Sequence, residues 1–326
     1  MQLEGAEADS LLITCKVTNE RMLAMRKAEG EMKSRSVVGK CLICGGKLGK
    51  ILLNITQPDR FEKAIGIDGK YLRRWVECSV CGTASNIMKQ SVEKALAKIS
   101  SSYYDYEFKT ANMLRARYDK VMGLPPNSSD NYHRVRRIEG FINRYSVAGD
   151  GMPYLLDIGA GMGVFLSVFH QRNRRIWKTC GMEPDAMAAR HLRSISNRRF
   201  TVIESRLEDY SPAAVKYKLC TLNKILEHIK KPVPFLGKIG GMLDDNGFVY
   251  LEMPDKTTIR HRPSTDNILG SLHHYLFDFK GMGILLEKAG FIPLSIEREF
   301  EPSGKITIYA FAAKKMAVNM LANEVG

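Results

Sequence analysis

Tyr154-Leu155-Leu156-Asp157-Ile158-Gly159-Ala160-Gly161-Met162-Gly163-Val164-Phe165 is the stretch from which the fold can be read. Residues 154–158 form a short apolar run with one carboxylate near its end, the pattern of a central strand in a parallel sheet. Gly159, Gly161 and Gly163 follow at spacing two. Glycine lets the chain turn sharply and lets a ligand approach the backbone. Helical spacing resumes over 164–170, so the turn opens onto a helix N-terminus. Strand, glycine turn and helix in that order make a nucleotide-type site at the carboxyl end of a strand.

Outward from this stretch, strands and helices alternate from residue 151 onward. Strands are expected at 179–183, 200–203, 219–222 and 248–253, with helices at 164–172, 186–195 and 233–242. Asp244-Asp245-Asn246-Gly247 is expected to be a turn, and a helix over 282–289 is closed by Gly290. Alternation of this kind implies a parallel α/β sheet. The strands at 291–297 and 306–312 have no helix between them and are expected to pair antiparallel at one end of that sheet.

The glycines read Gly-x-Gly-x-Gly. A dinucleotide fingerprint would need glycine at 164, where Val164 stands, and a phosphate-binding P-loop would need Gly-Lys-Ser/Thr. An adenosyl ligand without a pyrophosphate fits better. Glu183 ends the second strand, where a carboxylate can accept both hydroxyls of a ribose; the plainer alternative is a surface glutamate. Glu208 and Asp209 follow the third strand and could meet an adenine amino group, although acidic loops are common.

Seven cysteines are present, and four of them form two pairs, Cys41-Leu-Ile-Cys44-Gly and Cys78-Ser-Val-Cys81-Gly. Strand-like runs at 51–55 and 71–76, with a turn at Asp68-Gly69, lie between the pairs. Two knuckles joined by a hairpin describe a zinc ribbon in which Cys41, Cys44, Cys78 and Cys81 hold a structural zinc. The gap is longer than the commonest ribbon spacing and needs an elaborated loop. Four thiolates leave no open position for catalysis. The alternatives are two unrelated pairs of buried cysteines and a thioredoxin-like redox pair, the second disfavoured because neither pair opens a helix.

Residues 91–150 are expected to be mainly helical, over 92–99, 108–122 and 132–145, with a break at 124–130. Tyr103, Tyr104 and Tyr106 form an aromatic cluster there. Packing against the main domain is the expected role, with a lid over the site as the alternative. The sequence thus divides into an extension (1–36, with a candidate helix at 19–33), a zinc-ribbon unit (37–90), a helical linker or lid (91–150), a cofactor-binding domain (151–315) and a tail (316–326).

The net charge of +14 and 44% hydrophobic content describe a folded basic protein. Such a charge suits nucleic acid, an anionic glycan, a nucleotide-sugar or a membrane surface, or no partner beyond water. No apolar run reaches the roughly 20 residues of a membrane span. Without a basic n-region and a long apolar h-region, the N-terminus gives no secretory signal, and the cytoplasm is expected.

The motifs Leu-Leu-Asp-Ile-Gly-Ala-Gly-Met-Gly, Gly-Met-Glu-Pro-Asp, Leu-Asn-Lys-Ile-Leu-Glu-His-Ile-Lys-Lys-Pro and Asn-Gly-Phe-Val-Tyr-Leu-Glu-Met-Pro-Asp resemble those of class I S-adenosylmethionine-dependent methyltransferases, over roughly 150–315. The resemblance implies a doubly wound, seven-stranded Rossmann-like sheet with the last strand antiparallel, here preceded by the small zinc-ribbon unit. It implies that Asp157, Gly159, Ala160, Gly161 and Gly163 surround the methionine part of the cofactor. Glu183 would bind its ribose, Glu208 or Asp209 its adenine side, and Asn223 and Lys224 would face the sulfonium and the acceptor.

A zinc-knuckle region ahead of such a domain is similar to deoxysugar C-methyltransferases and surface-glycan methyltransferases, as are Asp59-Arg60-Phe61-Glu62 and Glu301-Pro302-Ser303-Gly304-Lys305. In the sugar enzymes a Glu-His pair precedes the final helix. Here the pair reads Leu272-His273, followed by His274, a departure that counts against the C-methylation mechanism and leaves O-methylation open. His273, His274 and His228 are the candidate bases, since imidazole titrates near neutrality; their plainer roles are hydrogen bonding at a helix start or structural support. The expected function is methyl transfer from S-adenosylmethionine to a small molecule, a sugar, nucleotide-sugar or glycan intermediate. The rivals are an RNA methyltransferase that uses the ribbon to bind substrate, and a non-catalytic zinc-ribbon adaptor.

Overall fold

The computed structural model describes residues 39–67, 71–145, 151–211 and 215–314. The extension 1–36, the Asp68-Gly69 turn and the tail 316–326 lie outside the described residues. The first part holds β1 (Leu48–Ile55), α1 (Arg60–Ala64), β2 (Arg73–Cys78) and β3 (Ala84–Ile87). Four helices follow: α2 (Gln90–Ser101), α3 (Tyr103–Phe108), α4 (Ala111–Met122) and α5 (Asp130–Arg144). The chain then alternates through β4 (Tyr154–Ile158), α6 (Val164–Asn173), β5 (Lys178–Met182), α7 (Ala186–Ser196), β6 (Thr201–Ile203), β7 (Tyr217–Asn223) and α8 (Pro232–Met242). It ends with β8 (Leu243–Pro254), α9 (Thr258–His261), β9 (Tyr275–Leu276), α10 (Phe279–Lys288), β10 (Phe291–Phe300) and β11 (Ile306–Lys314).

Seven strands form the main sheet in the order β10-β11-β8-β7-β4-β5-β6. β4, β5, β6, β7 and β8 pair parallel, and β11 runs antiparallel to both β8 and β10. The expected doubly wound α/β sheet is therefore present. The winding reverses between β4 and β7, the switch point at which such sheets bind ligands. Apolar residues of α5 (Val135, Ile138, Phe141) and α6 (Phe165, Leu166, Phe169) share one core with the sheet. Phe141 and Phe311 stack at 4.1 Å between ring centroids. Among the described residues no helix is long and apolar enough to cross a membrane.

Two local expectations change. The helix expected at 108–122 is two pieces, because Lys109 turns left-handed (φ 56°) and the Thr110 side chain caps α4 by accepting from the Met113 N–H. The turn at Asp244-Asp245-Asn246-Gly247 is absorbed as an irregularity within β8, whose pairing with β7 jumps from Leu243 to Phe248. A second sheet, β1-β2-β3-β9, completes the cysteine-bearing part with a strand taken from far along the chain.

Candidate active site

The glycine turn is stapled to the end of β5: the N–H groups of Gly159 and Ala160 donate to the Met182 carbonyl at 2.8 and 2.9 Å. All three glycines adopt positive φ, which a side chain would strain, and two of them are also closely packed. A Cβ on Gly159 would lie 2.2 Å from Ile225 Cδ1, and one on Gly163 would lie 2.4 Å from Leu192 Cδ2. Ala160 is buried toward Gly181 of β5. Gly161 shares the positive φ (+57°), and its missing Cβ would lie 2.3 Å from the Tyr104 hydroxyl. Asp157, at the end of β4, is 2% exposed. Thr221 Oγ1 and Asn223 Nδ2 donate to it at 2.7 and 2.8 Å. Burial pushes its carboxyl up to about 7.

Glu183 sits just past β5. One carboxylate oxygen accepts the Gly161 N–H at 2.8 Å and the other accepts the Asp185 N–H at 2.9 Å. Each oxygen keeps a further lone pair. Burial pushes this carboxyl up to about 7 as well. Asp185 caps α7 and accepts the Tyr104 N–H at 3.2 Å, so α3 lies across the glycine turn with Tyr104 inward. Burial, with Glu183 next, holds the Tyr104 phenol well above its usual range. Tyr104 stacks on Phe108 at 5.9 Å. The aromatic cluster marked this segment in the sequence, but its spacing did not single out Tyr104. The missing side chain at Gly161, the two-oxygen acceptor Glu183 and the aromatic cover fit an adenosyl group. Glu208 and Asp209 sit on an exposed 3-10 turn, Leu207–Asp209.

After β7 the chain carries two different groups. Lys224 has φ +61° and turns toward β8 and β11, with Nζ 3.3 Å from Glu252 and bonded to Thr307. Arg134 and Arg137 from α5 also bind Glu252. Although burial pushes the other way, Arg134 and Lys224 hold the Glu252 carboxyl well below its ordinary value. Lys224 thus belongs to a buried ion cluster, and Asn223 is turned to Asp157.

The turn Leu226–His228 follows. The rings of His228 and His273 meet edge to face at 4.5 Å. His228 Nδ1 lies 3.1 Å from the Leu272 carbonyl and His273 Nδ1 lies 2.7 Å from the Ile268 carbonyl. A carbonyl can only accept, so each Nδ1 carries the proton and each Nε2 keeps its lone pair. Burial lowers the His228 imidazole to about 4 and holds His273 well below its usual value, so both are neutral near pH 7. Beside them Glu227 is 1% exposed, its Oε2 has no hydrogen-bond partner, and burial pushes its carboxyl up to about 8. Glu227 was passed over in the sequence, where Leu-Glu-His does not reveal which side chain faces inward. His274 lies on another side of the same segment, 3.8 Å from Glu93. Leu272, where the sugar enzymes carry glutamate, packs with Phe61, Val92 and Leu96.

The four knuckle cysteines converge. Cys41 Sγ lies 3.7 Å from Cys81 Sγ, and Cys44 Sγ lies 3.4 Å from Cys78 Sγ. Tetrahedral zinc with bonds of about 2.3 Å sets sulfurs roughly 3.8 Å apart, so the donor set and spacing fit. Gly46 donates its N–H to Cys44 Sγ at 3.3 Å, and a Cβ there would strike Val80 at 2.6 Å.

This ribbon holds the histidine segment directly. β3 pairs with β9, and the Asn86 side chain donates to the carbonyls of Gly270 (3.2 Å) and His273 (2.7 Å). Arg73 Nη1 and Trp75 Nε1 both donate to the Leu269 carbonyl. Asp59 accepts the Ser271 N–H at 2.6 Å and forms a capping box with Glu62, which pairs with buried Arg73. In this chain Asp59-Arg60-Phe61-Glu62 therefore has a bracing role.

A seven-stranded sheet with one antiparallel strand, a glycine turn at its switch point and a carboxylate ending the next strand define a class of adenosyl-binding α/β enzyme. A solved plantazolicin methyltransferase in complex with SAH aligns at TM-score 0.50 and 14% identity, covering 69% of this chain and 98% of that one. The 1,6-didemethyltoxoflavin-N1-methyltransferase of Burkholderia thailandensis aligns at TM-score 0.50 and 14% identity, covering 76% of this chain and 97% of that one. Magnesium protoporphyrin IX methyltransferase of Synechocystis PCC 6803 with bound SAH aligns at TM-score 0.51 and 11% identity, covering 67% of this chain and 99% of that one. No curated protein matches the chain. Residues 131–296, half of the chain, match the family described as "Methyltransferase domain". The protein belongs to this family and is a class I S-adenosylmethionine-dependent methyltransferase.

Proposed function

We propose that this methyltransferase acts on a small, hydroxyl-bearing acceptor, a sugar, nucleotide-sugar or glycan intermediate, by O- or C-methylation. The observation that carries the reading is the pair His228 and His273, in ring contact beside buried Glu227 at the carboxyl end of β7. β7 adjoins β4 at the switch point, and Ile225, three residues before His228, packs against Gly159. The solved proteins of this fold are named for plantazolicin, 1,6-didemethyltoxoflavin and magnesium protoporphyrin IX, so the acceptor is argued from this chain's own residues.

S-adenosylmethionine supplies a methyl group already activated as a sulfonium, which leaves positioning as the main task of the protein. With the Tyr104 hydroxyl, which fills the space above Gly161, displaced, the backbone there is open to the donor, and Glu183 accepts from its ribose. Tyr104 and α3 exclude water above the turn. A neutral imidazole, His228 or His273, accepts the acceptor's proton at Nε2. The ribbon, with zinc on Cys41, Cys44, Cys78 and Cys81, braces residues 268–276. Thiols of this kind persist in the reducing cytoplasm, the compartment we infer.

The RNA reading is weakened by where the basic residues go. Arg134 and Arg137 are spent inside the protein on Glu252, Tyr250 and Glu301, and Arg172 on Glu139. The test is a panel of nucleotide-sugars, glycans and RNA with labelled methyl donor. Transfer to RNA alone, falling steeply with salt, would refute the small-molecule reading. The donor site is tested separately by calorimetry. Gly161→Val should lower S-adenosylhomocysteine affinity at least about 100-fold, since even a Cβ collides; unchanged affinity would disprove the site.

A further inference from the structure

The group Glu227, His228 and His273 has a property that proton transfer does not require. One ligand atom from each of the three lies within 4.8 Å of the others. Both imidazoles spend Nδ1–H on a backbone carbonyl, Leu272 for His228 and Ile268 for His273. That is how metal-ligating histidines are commonly held, with the second nitrogen unprotonated and its direction fixed. The carboxylate is buried, and Oε2 has no partner. A buried carboxylate oxygen without a partner is costly, and a cation offsets that cost. Two imidazoles and one carboxylate are the donor set of zinc and of ferrous, cobaltous and manganous ions.

We propose that Glu227, His228 and His273 hold a divalent transition-metal cation that binds an oxygen of the methyl acceptor. The proposal rests on the acceptor site assigned above; ligation uses the Nε2 lone pair of both imidazoles, so with the cation bound it is the cation, not an imidazole, that acidifies the acceptor hydroxyl, whose proton passes to solvent. Ligation at about 2.1 Å in a tetrahedron sets donors roughly 3.4 Å apart, so the three side chains contract slightly on binding. The two ligand-bearing segments are already joined, because the His274 N–H donates to the Glu227 carbonyl at 2.6 Å. Both histidines are half-buried while Glu227 is enclosed, so the cation is reached from the histidine side. Three protein ligands leave at least one position open, and an acceptor with a hydroxyl beside a second oxygen can fill it. This is a different kind of site from the four knuckle cysteines, which leave no position free.

The test uses the full chain with its cysteine site filled by one equivalent of zinc, titrated with Co2+ and followed by visible absorption. The expected result is one bound Co2+ per chain, beyond the zinc, without a thiolate-to-cobalt charge-transfer band. Glu227→Gln and His273→Ala should each weaken this binding at least about tenfold while S-adenosylhomocysteine affinity and zinc content stay as in the wild type. Absence of this bound Co2+ overturns the proposal. So does a cobalt that carries the charge-transfer band, or one whose binding survives Glu227→Gln. Cobalt binding is read without methyl transfer, so an inactive acceptor panel would count against the proposed function while leaving this result standing.

Discussion

At the residue scale the proposed donor site turns on Glu183. Burial raises its carboxyl from an ordinary 4.5 to about 7. A carboxyl raised in the folded state contributes stability that is present below about pH 4.5 and lost as pH rises through about 7. Two ribose hydroxyls donate more strongly to the ionised form, so binding must expel a proton in acid and need not in base. S-adenosylhomocysteine affinity is therefore expected to rise about tenfold from about pH 6 to about pH 8. Calorimetry should find proton release at the acid end, and Glu183→Gln should flatten the profile. A flat wild-type profile would show that the ribose does not meet Glu183. This residue was legible because a strand end fixes where a side chain must be. Tyr104 and Glu227 were not, since an isolated 3-10 turn or a short helix gives no periodicity from which to read the inward face.

At the element scale the main sheet could be read almost strand for strand, because its strands are apolar runs of ordinary length, most of them set off by a helix. β9 could not. It has two residues, and its partner β3 lies nearly two hundred positions away, so no local pattern announces the pairing. What holds it is tertiary: Ile55, Trp75, Ala84, Ile268, Leu269 and Leu276 form one buried cluster, and Asn86 ties the carbonyls of Gly270 and His273. Asn86→Ala leaves those carbonyls and the Arg73 guanidinium short of a partner, at a cost of about 1–3 kcal/mol. Hydrogen exchange across 268–276 should accelerate by at least about tenfold, with S-adenosylhomocysteine affinity unchanged. Exchange as slow as in the wild type would mean that the β3–β9 ladder braces the histidine segment without Asn86.

At the scale of the whole molecule the two proposed sites fall to different sheets, with the proposed donor site on the large sheet and the proposed acceptor segment held by the small one. Lys256 adds a second tie between the parts, bonding Glu77, the Gly82 carbonyl and Asp278. The small sheet has few buried apolar residues of its own, and a structural zinc contributes roughly 10–16 kcal/mol in comparable small units. Loss of the zinc should therefore free the acceptor segment and spare the donor site. Substitution tests this more cleanly than a chelator, which would also strip a cation from Glu227, His228 and His273. In Cys41→Ser/Cys44→Ser, zinc content should fall below one per chain and 39–88 together with 268–276 should lose exchange protection. S-adenosylhomocysteine should still bind within about threefold of the wild type, because the hydrogen bonds of the glycine turn, Glu183 and Asp157 run to β5, β7 and one another, away from the ribbon. Methyl transfer should fall at least about 100-fold, the scale on which a displaced positioning group costs rate. If transfer persists at the wild-type rate while zinc is absent, the ribbon is not the brace of the acceptor site, and the histidine segment must be held by the large sheet alone.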